Sequence, residues 1–271
     1  MNVRIGLAQH RIGPDMEENL RQAQRAVLAC AGQGAQLVLL PEMFCCLYQL
    51  ERLRACAQPR SGEIWKHLRA LACQAGVYLL GGSMPELDAQ GRIYNTSFFF
   101  SPAGEELACY RKCHLFDVSL PGGLCIQESS VFTPGEQLRV VESPFGKIGL
   151  AICFDLRFPE QFRALADRGA QLVLVSAAFN STTGPAHWEI NCRSRALDNQ
   201  VFLCACAPAA APDGPYPYYG HSMVVDPWGR ILTELTGEAC ERVVTLDLDE
   251  TARIRAQLPL LQSRRPELYR Q

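Results

Sequence analysis

No apolar run in this 271-residue chain approaches the roughly 20 residues that cross a bilayer. The nearest approach, Val201 to Ala211, is short and contains Pro208. No basic run or basic patch interleaved with aromatics is present, net charge is −2 and the pI is about 6.2, so neither nucleic acid nor membrane is expected as a partner. Met1 to Arg11 lacks a basic region ahead of a long apolar stretch, so no secretory signal is expected. No C-x-x-C pair and no Cys/His spacing typical of zinc occurs, and neither a metal nor a cofactor is expected. No G-x-S-x-G is present, which argues against a serine-hydrolase elbow. No linker or low-complexity segment divides the chain, which reads as one domain, 1–271, with a polar, Arg-rich C-terminal tail.

Hydrophobic residues make up 48% of the chain, enough for a large core. The 13 cysteines are an odd number, and most sit in apolar runs, as at Cys30, Cys73, Cys204 and Cys206. They read as small buried hydrophobes in a reducing cytoplasm. Cys153 differs. It ends the apolar run Ile148–Ile152 and precedes Asp155-Leu156-Arg157-Phe158-Pro159-Glu160. That pattern places a thiol on the bend between a strand's carboxyl end and a helix's amino end, where backbone N–H groups and the helix dipole favour a thiolate.

Two strings recur in the same order. Ile5-Gly6-Leu7-Ala8 returns as Ile148-Gly149-Leu150-Ala151, and Gly34–Leu39 (GAQLVL) returns as Gly169–Leu174. Each pair flanks a helical pattern, Met16–Gln33 in the first case and Pro159–Arg168 in the second. Strands alternating with helices, in two matching halves, predict an α/β fold: two sheets face to face with helices outside. Further strands are expected at Val77–Gly82, Asn95–Phe100, Glu106–Arg111, Val201–Cys206, His221–Val225, Ile231–Glu234 and Glu241–Leu246, and a helix at Asp249–Leu258.

Glu42 follows the apolar strand Leu37–Leu40, and Lys112 lies just past a strand end. Taken alone, each reads as a solvated group, and Glu128 carries an equally weak signal. The repeat changes the reading of Glu42, because strand ends in the two halves can point into one cleft.

Pro41-Glu42-Met43-Phe44, Arg111-Lys112-Cys113-His114-Leu115 and Gly149–Glu160, in that order, resemble the nitrilase (carbon–nitrogen hydrolase) superfamily. The resemblance implies a four-layer αββα sandwich with internal pseudo-two-fold symmetry. It also implies a catalytic triad of Glu42, Lys112 and Cys153, with Glu128 as a second glutamate. Ala178–Glu189, Arg195–Val201 and Gly220–Gly229 resemble the amidase branch, nearest the omega-amidases that hydrolyse α-ketoglutaramate and α-ketosuccinamate. Phe116-Asp117, Gln127-Glu128-Ser129 and the Asn180 loop favour that branch. The competing branch hydrolyses deaminated glutathione, and other linear-amide or N-carbamoyl hydrolases of the superfamily remain open. Cys45-Cys46-Leu47-Tyr48 is bulkier than expected, so this loop is where substrate size would differ.

The residue types suit amide hydrolysis through a thioester. Glu42 takes the thiol proton and returns it to departing ammonia, while Lys112 and the Phe154 N–H meet the oxyanion. Glu128 would hold Glu42 or the substrate NH2. A substrate carboxylate needs a cation, and Arg157, Arg193 and Arg195 are available; Arg157 is expected to brace the nucleophile bend through a local ion pair. Tyr48, Phe116, Phe179 and Thr183 are candidate pocket walls. His187 and His221 read as structural hydrogen bonders in preference to a Cys–His pair. The partner is a small-molecule amide. The resemblance also implies a homodimer or larger homo-oligomer, assembled through the Cys153-side helices and the tail Gln262–Gln271.

Overall fold

The structure, a computed structural model, describes residues 1–119 and 125–269. Strand β1 (Asn2–Gln9) leads into α1 (Met16–Gly32) and β2 (Leu37–Leu39). Helix α2 (Leu50–Ala55), the short β3 (Gln58–Pro59) and α3 (Glu63–Ala75) precede β4 (Tyr78–Leu80), β5 (Met84–Leu87), β6 (Ile93–Phe100) and β7 (Glu106–Arg111). An antiparallel pair, β8 (Asp117–Ser119) and β9 (Cys125–Gln127), links the halves. The second half runs β10 (Arg139–Ser143), β11 (Gly146–Ile152), α4 (Pro159–Asp167), β12 (Leu172–Ser176), α5 (Gly184–Asn199), β13 (Phe202–Cys206), β14 (Met223–Val225) and β15 (Ile231–Glu234). Strand β16 (Cys240–Asp247) and α6 (Asp249–Gln257) close the chain.

Two mixed sheets result. One is ordered β16-β1-β2-β4-β6-β5-β3 with β7 also on β6, the other β10-β11-β12-β13-β14-β15. Each is built around three parallel strands, β1-β2-β4 and β11-β12-β13, flanked by antiparallel ones.

The repeated strings explain this symmetry at atomic level. Side chains alternate across a strand. Val3, Ile5 and Leu7 of β1 and Ile148, Leu150 and Ile152 of β11 enter one apolar layer between the sheets. Gly6 and Ala8, like Gly149 and Ala151, face outward under the helices. A Cβ on Gly6 would lie 2.8 Å from the Cβ of Cys30 on α1, and one on Gly149 would lie 3.1 Å from Leu165 Cδ1 on α4. Small residues therefore let each helix settle on its sheet.

The second string ends each helix in the same way. Gly34 and Gly169 adopt left-handed φ of 83° and 93°. Ala35 and Ala170 return N–H bonds to the helix carbonyls of Cys30 and Leu165 (3.0 and 3.1 Å), and the N–H groups of Gln36 and Gln171 reach Arg4 and Lys147 of the preceding strands. Two further apolar layers lie outside the sheets, one under α1 and α3 and one under α4 and α5, which completes the αββα order.

The expected strands and helices appear with ends shifted by a few residues at most. Helices α2, α3 and α5 were not expected. The buried face of α5 carries Arg195 and Asn199 beside Trp188, Cys192 and Ala196, which blurs its helical period. Among the described residues, no helix is long and apolar enough to cross a membrane.

Candidate active site

Three strand ends meet beneath one mouth. Glu42 follows β2, Lys112 follows β7 and Cys153 follows β11. Backbone bonds join the two halves there: the Glu42 N–H donates to Ala177 O at 3.2 Å, and Ser176 Oγ donates to Leu40 O at 3.0 Å. The sequence-predicted Glu42, Lys112, Glu128 and Cys153 are thus brought together.

Glu42, Lys112 and Glu128 are fully buried. Lys112 Nζ lies 2.9 Å from Glu42 Oε1 and 3.0 and 2.9 Å from the two Glu128 oxygens. One ammonium thus serves two carboxylates. Burial would lower Lys112, but Glu128 and Glu42 more than offset it and hold the ammonium charged. Burial pushes Glu42 up and Glu128 adds to this, against the pull of Lys112. Glu128 does not touch Glu42. Its Oε2 accepts from the Phe116 N–H at 2.5 Å and its Oε1 from the Tyr48 hydroxyl. The expectation that Glu128 holds Glu42 is therefore corrected: Lys112 stands between them.

Asn95 of β6 completes the cluster. Its Nδ2 donates to Glu42 Oε1 at 2.8 Å, and its backbone carbonyl accepts from the Lys112 backbone N–H at 2.9 Å. Glu42 Oε2 is buried with no hydrogen-bond partner among the described residues. The carboxylate thus has one anchored oxygen and one free.

Cys153 sits at φ 42°, a left-handed conformation that side chains rarely adopt. Buried Asp155 holds the bend. It accepts from the Ile152 N–H (2.9 Å), the Tyr110 hydroxyl (2.7 Å), the His114 N–H (3.1 Å) and His114 Nδ1 (2.8 Å). Tyr110 and His114 flank Lys112, so one carboxylate ties the Cys153 bend to the lysine's segment. The Ala178 N–H donates to Cys153 Sγ at 3.5 Å. Burial and the Glu42 carboxylate push the Cys153 thiol up, against the pull of Lys112 and the Ala178 N–H, and so oppose the expected thiolate.

The thiol opens into a narrow pocket lined by Phe116, Phe154, Arg157, Ala178, Phe179, Asn180, Thr183 and Tyr216. Arg157 lies over the Phe154 and Phe179 rings, at 5.7 and 5.1 Å, and donates from Nη1 to His187 Nδ1 at 2.9 Å. It forms no ion pair among the described residues, so the expected local brace is corrected: its partner is His187. Arg195 instead bonds Leu156 O, and Arg193 pairs with Glu189, both outside the pocket. His221 bonds Glu234, and neither it nor His187 lines the pocket. Tyr48 sits behind the wall on Glu128, and Tyr216 takes the expected place at the pocket. Cys45, Cys46 and Leu47 pack in the outer core and do not shape the mouth. Two larger surface depressions lie away from this chemistry.

The profile of the carbon–nitrogen hydrolase family matches residues 4–256. Omega-amidase NIT2 of Mus musculus is 42% identical over 98% of this chain and 96% of its own. The chain belongs to the carbon–nitrogen hydrolase family. Omega-amidase NIT2 of Homo sapiens is 41% identical with the same coverage. The crystal structure of Saccharomyces cerevisiae Nit3, a member of branch 10 of the nitrilase superfamily, is similar at TM-score 0.89 and 34% identity, covering 97% of both chains. The NitFhit protein of C. elegans is similar at TM-score 0.92 and 32% identity, covering 99% of this chain and 66% of that one. This carbon–nitrogen hydrolase is an enzyme acting on amides.

Sequence reasoning missed four residues of this carbon–nitrogen hydrolase site: Asn95, Asp155, Ala178 and Tyr216. Asp155 carried a signal, being the acidic residue two places after the nucleophile. Asn95 and Ala178 carried none, since one is a polar strand residue beside Thr96 and Ser97 with no spacing to mark it and the other offers a backbone N–H.

Proposed function

We propose that this hydrolase is an omega-amidase, releasing ammonia from a short linear amide that carries a carboxylate, α-ketoglutaramate or α-ketosuccinamate. The observation that carries this reading is the Arg157 guanidinium on the wall of a narrow pocket above Cys153, with no carboxylate partner among the described residues. A guanidinium suits a carboxylate through paired donors. The similarity to curated omega-amidases supports the same reading.

The steps follow from the site. Cys153 Sγ attacks the amide carbon while its proton passes to Glu42, whose free Oε2 is the acceptor. Lys112 and the Phe154 N–H stabilise the oxyanion, each such donor contributing about 3 kcal/mol. Glu42 returns the proton to the leaving nitrogen, ammonia departs and a thioester remains. Water, deprotonated by Glu42, attacks the thioester. The acid leaves and the thiol regains its proton. Tyr48 and Glu128 hold Lys112 in place. Phe116, Phe154, Phe179 and Thr183 line the pocket above Cys153.

Assembly as a homodimer through the α4–α5 face fits an apolar surface there: Ile190 is 62% and Trp228 48% exposed beside Leu197. Leu268 and Tyr269 of the tail are also exposed. All 13 cysteines are unpaired, which fits a reducing cytoplasm.

Ammonia release from an amide panel tests the substrate. The highest kcat/KM is expected for α-ketoglutaramate. A higher value for deaminated glutathione would contradict the reading.

A further inference from the structure

Side chains alternate in direction along a strand, so Arg111 turns away from the site that Lys112 enters. It lines a second cleft of about 380 Å³, which shares no residue with the pocket at Cys153. That volume is in the range of small-molecule sites. Arg60, Arg92 and Arg139 line the cleft as well. Three of the four guanidiniums are held from behind. Arg111 gives Nε and Nη2 to buried Glu86, both at 2.9 Å. Arg60 gives the same two nitrogens to Glu106, and Arg92 gives Nε to Asp88 at 2.8 Å. Arg111 and Arg92 also lie over the buried Tyr94 ring, at 3.7 and 5.5 Å. Each of the three keeps Nη1 without a hydrogen-bond partner among the described residues. Arg139 is exposed, and its side chain has no ion pair or hydrogen bond among the described residues. The opposite wall is fixed too: the Gly135 N–H donates to Lys112 O at 2.8 Å, and a Cβ on Gly135 would lie 2.2 Å from Arg111 O.

We propose that this cleft binds a small multivalent oxyanion, a polyphosphate or a polycarboxylate. Its lining carries four guanidiniums and one carboxylate, Glu136; Glu86, Glu106 and Asp88 do not line it. The ion pairs cancel at a distance but not at contact. An anion on Nη1 lies nearer the cation than the carboxylate across the fork, and Coulomb attraction falls with distance. Guanidiniums already held in place lose little freedom on binding. Donors on four separate side chains suit an ion with several charged oxygens, each of which takes a charge-assisted hydrogen bond.

Titration calorimetry of the full chain with tripolyphosphate and with citrate tests this, at about 0.15 M salt so that loose surface attraction is screened. Saturable binding of at least one of the two, one ion per chain, is expected. The tighter of the two distinguishes phosphate from carboxylate recognition. Arg139→Ala and Arg92→Ala should each weaken binding by about tenfold or more, the effect of a hydrogen bond to a charged group. Melting temperatures verify that both variants are folded. Arg25→Ala removes an equal charge from the exposed face of α1, and Arg157→Ala removes the guanidinium of the Cys153 pocket. Both should leave the affinity within about twofold of wild type. Absence of saturable binding of either ion to the wild type would overturn the proposal. So would unchanged affinity in the folded Arg139→Ala and Arg92→Ala variants, or a loss confined to Arg157→Ala.

Discussion

Glu42 holds its two oxygens in different surroundings. Oε1 takes Lys112 at 2.9 Å and Asn95 at 2.8 Å, whereas Oε2 has no hydrogen-bond partner among the described residues. The anchored oxygen fixes the carboxylate, and the other is the proton acceptor in the proposed mechanism. Burial and Glu128 already push Glu42 up, and activity needs its ionised form, so the acid limb of kcat/KM should lie above the ordinary carboxylate range. The Asn95 N–H favours the carboxylate. Removing it in Asn95→Leu should therefore move that limb to still higher pH and lower kcat by about tenfold to a hundredfold, the effect of a hydrogen bond to a charged group. KM should change far less. A pH–rate profile reads both effects; a lowered kcat with an unmoved limb would show a purely structural role. Residue by residue, the sequence was partly legible. Glu42, Lys112 and Glu128 each read alone as a solvated group, and only their order with Cys153 made them a set. Asn95 could not be read, because its partner lies 53 positions away and is met only across the folded sheet.

The elements were legible wherever a short string fixed both faces of a strand. Gly6 and Gly149 were visible as echoes, and the structure supplies the reason: each lies beneath a helix that a side chain would push away. Gly6→Val would drive its side chain into Cys30, whose Cβ is 2.8 Å from the position of an added Cβ. The expected cost is about 1–3 kcal/mol, read as a melting temperature lower by several degrees in calorimetry. An unchanged melting temperature would show that α1 does not need this close seat. Helix α5 was hidden for the opposite reason. Its buried face mixes Arg195 and Asn199, both hydrogen-bonded to backbone carbonyls, with apolar residues, so no apolar stripe marks it. The turn of Arg157 into the pocket was equally hidden, since its partners there, His187 and the Phe179 ring, lie 30 and 22 positions further along the chain.

At the scale of the molecule, each half supplies part of one site. The first half brings Glu42 and Lys112, the second Cys153, and the two sheets are joined at that point by the Glu42–Ala177 and Ser176–Leu40 bonds. The pseudo-symmetry read from the two strings is thus also the frame of the chemistry. The exposed Ile190 and Trp228 on the outer face lead to an expected mass in light scattering of about twice the 30.0 kDa chain at micromolar concentration. A monomeric mass would contradict assembly through that face. The central claim concerns a single sulfur among 13, and mass spectrometry of the enzyme quenched during turnover of α-ketoglutaramate tests it most directly. An acyl group is expected on the peptide that contains Cys153, and it should be absent from Cys153→Ala. An acyl group on another cysteine, or full activity in Cys153→Ala, would contradict it.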